Sequence, residues 1–314
     1  MYLQECLPAE LRGPDTEITP ITAGFSGAGV HRVQRGERAF VLKLAGDRDT
    51  PDEWRRRLQV LRQASGAGLA PTIVHVDDAR RAVLSEHVAD RSFPALYGDP
   101  RTRGDALALL GRTIRSVHEL PIPVGMPVRR PEDVFASMWA GPDDAFPLPA
   151  FVHEAVERVR ASEPPPSDEP PVLSHNDLNP TNLVFDGERL MLLDWDAAGP
   201  NDHAFDLATV ALFMRMDADA CAQLHAGYAG GAGEALPARC DYFRRLVAVM
   251  VGTGFLSFAR KAGHPGAAPD TPIDATLPLA DVYQGMRTGT ISIATPEGRF
   301  AFGLALVKES LGPA

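Results

Sequence analysis

Only three cysteines occur among the 314 residues: Cys6, Cys221 and Cys240. They are scattered and form no Cys-x-x-Cys pair, which speaks against both a zinc site and a disulfide framework. Long apolar runs are missing too: no uninterrupted stretch reaches the roughly 20 residues that a membrane-spanning helix needs. The first residues carry Glu5 and Glu10 and no apolar core, unlike a secretory signal, so a cytoplasmic location is the expectation. Positive charge is in deficit, with 31 Lys and Arg against 41 Asp and Glu and a net charge of −10. A surface built to hold nucleic-acid phosphates needs the opposite balance, whereas this one suits a small cationic substrate. There is no internal repeat, and no membrane partner is implied.

What the chain does have is periodic structure, cut into pieces by Gly and Pro. Residues 18–23, 30–33 and 39–44 read as strands, with the glycine-rich Gly24-Phe25-Ser26-Gly27-Ala28-Gly29 between the first two. Thr50, Pro51 and Glu53 spell out a helix start: N-cap, N1 proline and the N3 acid of a capping box. That helix runs to about residue 64. Residues 71–76 and 82–88 read as two more strands, so the first 88 residues form a compact α+β unit. Helical periods follow at 101–120, 132–139 and 151–161, then at roughly 204–216, 219–228, 237–262, 275–287 and 297–311. A proline-rich connector at 163–171 precedes the strand Val172-Leu173.

The most telling stretch is Ser174-His175-Asn176-Asp177-Leu178-Asn179-Pro180-Thr181-Asn182, followed by Leu192-Leu193-Asp194-Trp195-Asp196. Between them lie two apolar runs and the turn signal Asp186-Gly187, which together predict a β-hairpin. Asn182 and Asp194 stand at similar distances from that turn, so the hairpin brings two oxygen ligands to its open end, as a hard cation such as Mg²⁺ requires. In the protein-kinase pattern, an Asp, an Asn five residues later and a further Asp supply a catalytic base and the metal ligands.

Other residues carry two readings each. The glycine loop precedes a strand and lacks a Gly-Lys-Ser/Thr ending, so it is neither a dinucleotide fingerprint nor a P-loop. It is either a hairpin turn or a cover for phosphates, with Ser26 and Gly27 at its centre. Lys43 sits in Val41-Leu42-Lys43-Leu44, either as a solvated edge lysine or as a phosphate partner. Glu53 is either the capping-box residue alone or the partner of Lys43. Trp139 and Trp195 are core aromatics or offer a π-face to a cation. Asp206 is a helix N-terminal charge or a support of the 174–182 loop. His175 fits loop packing better than base chemistry.

Taken together, His175-Asn176-Asp177-Leu178-x-Pro180-x-Asn182, Asp194-Trp195-Asp196 and Asp206-Leu207-Ala208 resemble the aminoglycoside phosphotransferase and choline kinase superfamily. The resemblance covers most of the chain and is strongest over 174–208. It implies an α+β, bilobal protein-kinase-like fold. An N-terminal β-sheet lobe with one main helix would span 1–88, with a hinge about 85–90, and a larger, mainly helical lobe would span 89–314. By position, it implies Asp177 as catalytic base and Asn182 and Asp194 as Mg²⁺ ligands. Lys43, with Ser26 and Gly27, would hold the phosphates of ATP, or of GTP, and the backbone from Ser85 to Val88, with Glu86 and Val88 as contacts, would meet the adenine. His175 and Asp206 would support the loop.

The implied activity is transfer of a phosphoryl group to a hydroxyl of a small cationic metabolite or antibiotic that is choline-, thiamine- or aminoglycoside-like. Asp196, Asp202 and Trp195 are candidate substrate contacts, and acidic residues of the 121–149 region and the helical C-terminal lobe, with Asp133, Asp143, Asp144 and Asp202 as candidates, would line the acceptor site. A monomer or homodimer is expected. One departure stands out: the helix after Lys43 has no acid beyond Glu53, which leaves the usual lysine partner missing. A catalytically silent pseudokinase is the alternative, disfavoured because Lys43, Asp177, Asn182 and Asp194 are all present. A protein kinase is disfavoured by the lack of an Ala-Pro-Glu segment.

Overall fold

A computed structural model describes residues 3–21, 29–46, 49–139, 141, 143, 145–231 and 236–312. In chain order its strands are β1 (Thr16–Pro20), β2 (Val30–Arg35), β3 (Arg38–Leu44), β4 (Ile73–Asp77), β5 (Ala82–Glu86), β6 (Val172–Ser174), β7 (Leu183–Phe185), β8 (Leu190–Leu192) and β9 (Gly199–Asn201). Its helices are α1 (Pro51–Gly66), α2 (Phe93–Gly98), α3 (Arg103–His118), α4 (Pro131–Met138), α5 (Ala150–Arg160), α6 (His203–Phe213), α7 (Ala218–Ala229), α8 (Ala238–Lys261), α9 (Leu279–Thr288) and α10 (Pro296–Leu311). Contacts group these into two units. The first takes Met1–Pro127, Val172–Pro200 and Asp217–Glu234, and the second takes Val128–Pro171, Asn201–Met216 and Ala235–Ala314.

The first unit contains an antiparallel five-stranded sheet in the order β1-β2-β3-β5-β4. Strand alternation sends Phe40 and Leu42 to one face, where they join Val33, Leu84, Cys6, Leu7 and Leu11 in a buried core. Lys43, opposite Val30 on β2 and Val83 on β5, therefore points to the other face. That face carries Val83 packed with Trp54 and Leu58 of α1. The α1 start is as its sequence predicts: Thr50 accepts the Glu53 N–H, and Glu53 accepts the Thr50 N–H. In the same unit α3 packs on α7. The two helices approach so closely at Gly111 and Gly227 that a Cβ on Gly111 would lie 2.4 Å from the Leu224 carbonyl oxygen.

The second unit is helical. Its α8 packs along α10 and against α6, and nine successive residues of α6, from Ala204 to Leu212, are buried. The α6 run is mostly apolar because it is covered on all sides, and of its two polar members, Asp206 and Thr209, the second spends its hydroxyl on the Phe205 carbonyl.

Most elements fall where periodicity places them. The short helix α2 and the strand β9 do not follow from it, since neither is long enough to display a period. The strand predicted to reach residue 88 stops at Glu86.

Candidate active site

The hairpin comes first, since it sets the spacing. Leu183 pairs with Leu192, Val184 with Met191 and Phe185 with Leu190. Asp186 closes the turn by accepting the N–H groups of Glu188 and Arg189, and Gly187 takes φ +111°, a backbone state that L side chains rarely adopt. Two backbone bonds fasten the hairpin to its unit, from Arg91 N–H to the Phe185 carbonyl and from Leu192 N–H to the Leu69 carbonyl. At the open end, Leu193 N–H donates to the Asn182 carbonyl at 2.9 Å, which sets Asn182 beside the strand that delivers Asp194.

The loop before the hairpin is held by its own polar groups. His175 is fully buried. Its Nδ1 accepts the Asp177 N–H, so Nε2 is the protonated nitrogen that donates to the Leu193 carbonyl at 3.0 Å. Its ring meets Trp195 edge-on at 4.8 Å. Asn176 adopts φ +65°, which asparagine tolerates better than most residues, and its amide donates to the Ala197 carbonyl at 2.9 Å. The Asp177 carboxylate is then fixed on both oxygens: Asn179 donates to Oδ1 at 3.0 Å and Asn182 to Oδ2 at 2.9 Å. Asn182 also donates to the Asp177 carbonyl, so Nδ2 faces Asp177 and Oδ1 is left as the metal-competent atom of that amide. The orienting roles of Asn176 and Asn179 were missed in the sequence. The signal was a cluster of short amides in a loop, where such residues bond the nearby backbone and each other.

Asp194 follows at φ +61°, ψ +63°. Its Oδ1 accepts from Lys43 Nζ at 2.6 Å, and Asp196 Oδ2 lies 2.8 Å from the same nitrogen. The three side chains are 28, 32 and 39% exposed, so this group is partly buried and still open to solvent. Burial pulls the Lys43 pKa down, and the charges of Asp196 and then Asp194, with their hydrogen bonds, more than offset it, leaving the ammonium above the ordinary lysine range. Among the described residues no group of three or more His, Cys, Asp or Glu is arranged to hold a metal ion. The oxygen donors the fold gathers in this stretch are the amide of Asn182, whose backbone is bonded to Leu193 next to Asp194, and the Asp194 and Asp196 carboxylates that share Lys43. They are hard oxygen donors of the kind Mg²⁺ takes, and the carboxylates already hold one cation, the Lys43 ammonium.

The remaining candidates stand as follows. Trp195 is 4% exposed and its indole N–H donates to the Leu192 carbonyl, so its ring is spent on packing against His175 rather than offered to a ligand. Asp202 caps α6 by accepting the Ala204 N–H at 2.9 Å, and its other oxygen takes the Arg239 guanidinium. Asp206 is fully buried within α6. Asp143 pairs with Arg260. Glu86 ends β5 with its N–H on the Thr72 carbonyl, His87 donates to the Ala39 carbonyl, and Val88 lies beyond the strand. Ser26 and Gly27 of the glycine loop, and Asp144, lie outside the described residues.

Three comparisons bear on this geometry. The profile of the Phosphotransferase enzyme family matches residues 17–243. Protein LicA from Haemophilus influenzae is 47% identical over 36 residues, a match that spans 12% of this chain and 14% of that protein. Among solved structures, a choline/ethanolamine kinase family protein from Mesorhizobium loti aligns with 96% of this chain and 94% of its own at 20% identity and a TM-score of 0.58. The macrolide 2'-phosphotransferase MphH from Brachybacterium faecium aligns with 84% of this chain and 96% of its own at 17% identity and a TM-score of 0.58. Identities this low carry the fold alone: an antiparallel N-terminal sheet with one main helix and a mainly helical remainder, the protein-kinase-like fold of small-molecule kinases.

Proposed function

Because the chain belongs to the phosphotransferase enzyme family, we propose that it transfers the γ-phosphoryl group of ATP to a hydroxyl of a small, cationic metabolite or antibiotic. The observation that carries this reading is the meeting of Lys43 from β3 with Asp194 from the end of the hairpin at 2.6 Å, with Asn182, bonded through its backbone to Leu193 beside Asp194, also holding Asp177, a carboxylate fixed on both oxygens. In this reading the acceptor hydroxyl lies against Asp177. Its oxygen forms the new bond to phosphorus as the bond to the departing ADP breaks, and its proton passes to Asp177.

Lys43 donates to the nucleotide phosphates, with Ser26 and Gly27 covering them. Asn182 and Asp194 would hold Mg²⁺, which supplies neutralisation of the phosphate charge when bound. The backbone from Ser85 to Val88 would face the adenine at the boundary of an N-terminal lobe ending near residue 88. Asp177 does little covalent work: its oxygens are aimed in advance by Asn179 and Asn182, so positioning supplies much of the rate. GTP in place of ATP is compatible with the same phosphate contacts.

The net charge of −10 supports a cationic acceptor through electrostatic attraction at a distance. The test is Mg-ATP consumption measured over choline, ethanolamine, thiamine, aminoglycosides, macrolides and amino-sugar alcohols. One acceptor should give turnover well above the acceptor-free rate. With that acceptor, Asp177→Asn should keep ADP binding and lose about 10³-fold in kcat, the scale of a general base. Full activity in that variant would remove Asp177 from its role.

A further inference from the structure

Two observations about Lys43 belong together. The helix that follows its strand has acids only in its first turn, Asp52 and Glu53. Its ammonium instead sits between two carboxylates of one turn, 2.6 Å from Asp194 and 2.8 Å from Asp196. Two carboxylates closing on one positive centre is also the arrangement a hard divalent cation would take. We propose that Lys43 is the resident cation of this pair. In the nucleotide-free protein it closes Asp194 and Asp196 to a divalent metal, and it releases Asp194 only when nucleotide phosphates arrive. Asp196 is then the positioning carboxylate: it keeps hold of Lys43 after Asp194 has been given over to the metal, as a mid-helix acid would.

The chemistry of the groups supports each half. An ammonium has three N–H donors, so Lys43 can keep Asp196 and still donate to phosphate oxygens. Without the lysine charge, two neighbouring carboxylates repel each other, and an incoming cation relieves that repulsion. Metal and nucleotide each bind only the released arrangement, so each raises the affinity of the other by the same factor. The identity of the incoming ligands rests on the kinase reading. The resident state does not, since it is a contact within the protein alone.

The experiment titrates nucleotide-free protein with Mn²⁺, followed by electron paramagnetic resonance. Lys43→Met should bind Mn²⁺ about tenfold more tightly than the wild type, while Lys43→Arg, which keeps the charge, should stay near the wild type. If Lys43→Met is insoluble, Lys43→Gln makes the same comparison with a neutral hydrogen-bond donor in place. An affinity in the neutral variants equal to or weaker than that of the wild type overturns the resident-cation role. Asp196→Asn should weaken ADP binding in the presence of Mn²⁺ about tenfold, and Asp196→Glu should recover most of it. Unchanged ADP binding in Asp196→Asn overturns the positioning role. Wild-type protein that binds no ADP at all sinks the kinase reading, and the Mn²⁺ comparison still decides the lysine's role by itself.

Discussion

His264 shows how much one ring can depend on its proton count. It stacks on Phe300 with centroids 4.0 Å apart, meets Phe146 edge-on, and accepts the Gly266 N–H on Nδ1 at 3.0 Å. Burial pushes its pKa below the ordinary histidine value, against a weaker opposing pull from Glu297. A protonated ring cannot accept the Gly266 bond, so geometry and burial favour the same neutral form. The sign follows from linkage. Below about pH 6.5 the unfolded chain takes up a proton that the folded chain resists, so stability present above that pH is lost as the pH falls through the lowered folded value. Between pH 7.5 and 5.5 the melting temperature of the wild type should therefore drop more than that of His264→Phe, which keeps the stacking and cannot titrate. Equal drops in calorimetric scans would assign the acid sensitivity elsewhere.

At the scale of elements, the α3–α7 contact makes the sharpest demand. A Cβ on Gly111 would lie 2.4 Å from the Leu224 carbonyl oxygen, and one on Gly227 would lie 2.7 Å from the Ala108 carbonyl oxygen. These neighbours are backbone, which cannot rotate away. Ordinary helix propensity would make Gly→Ala favourable by up to ~1 kcal/mol, and the clash outweighs it. Gly111→Ala should destabilise the protein by about 1–3 kcal/mol in urea unfolding, the usual cost of overpacking. A neutral or stabilising result would mean that the two helices can separate.

Elements of this kind divide into those the sequence displays and those it hides. The start of α1 was legible because Thr50, Pro51 and Glu53 each have a positional meaning, and the hairpin was legible because Asp186-Gly187 stands between two apolar runs. With the hairpin came Asn182 beside Asp194. The partners of Lys43 were not legible. Asp194 and Asp196 are more than 150 residues away in the chain, and only tertiary contact brings them to β3. Trp195 could be read as packing or as recognition, and burial, which no local pattern encodes, decided between them.

Across the whole molecule, the first compact unit is assembled from three separated stretches of chain, and the second from three others. The first stretch holds the five-stranded sheet and Lys43, but the helix that covers α3 and the hairpin that carries Asp194 arrive much later in sequence. A fragment of residues 1–127 would keep its strands and expose the face of α3 that contains Leu107, Leu110 and Ile114, all fully buried in the intact chain. Such a fragment should bind a hydrophobic dye and lack a cooperative thermal transition, whereas the full chain should melt cooperatively. A sharply melting, dye-silent fragment would show that the sheet stands without its later partners.

Asp194 holds a left-handed backbone, φ +61°, which alanine adopts at a cost and asparagine far more readily. The residue thus carries two separable duties, a charge and a bend. Replacing it with alanine removes both together and confounds any readout. Asparagine removes the charge and spares the bend, and glycine spares the bend while deleting the side chain. A three-way comparison at this single position would separate electrostatics from chain geometry.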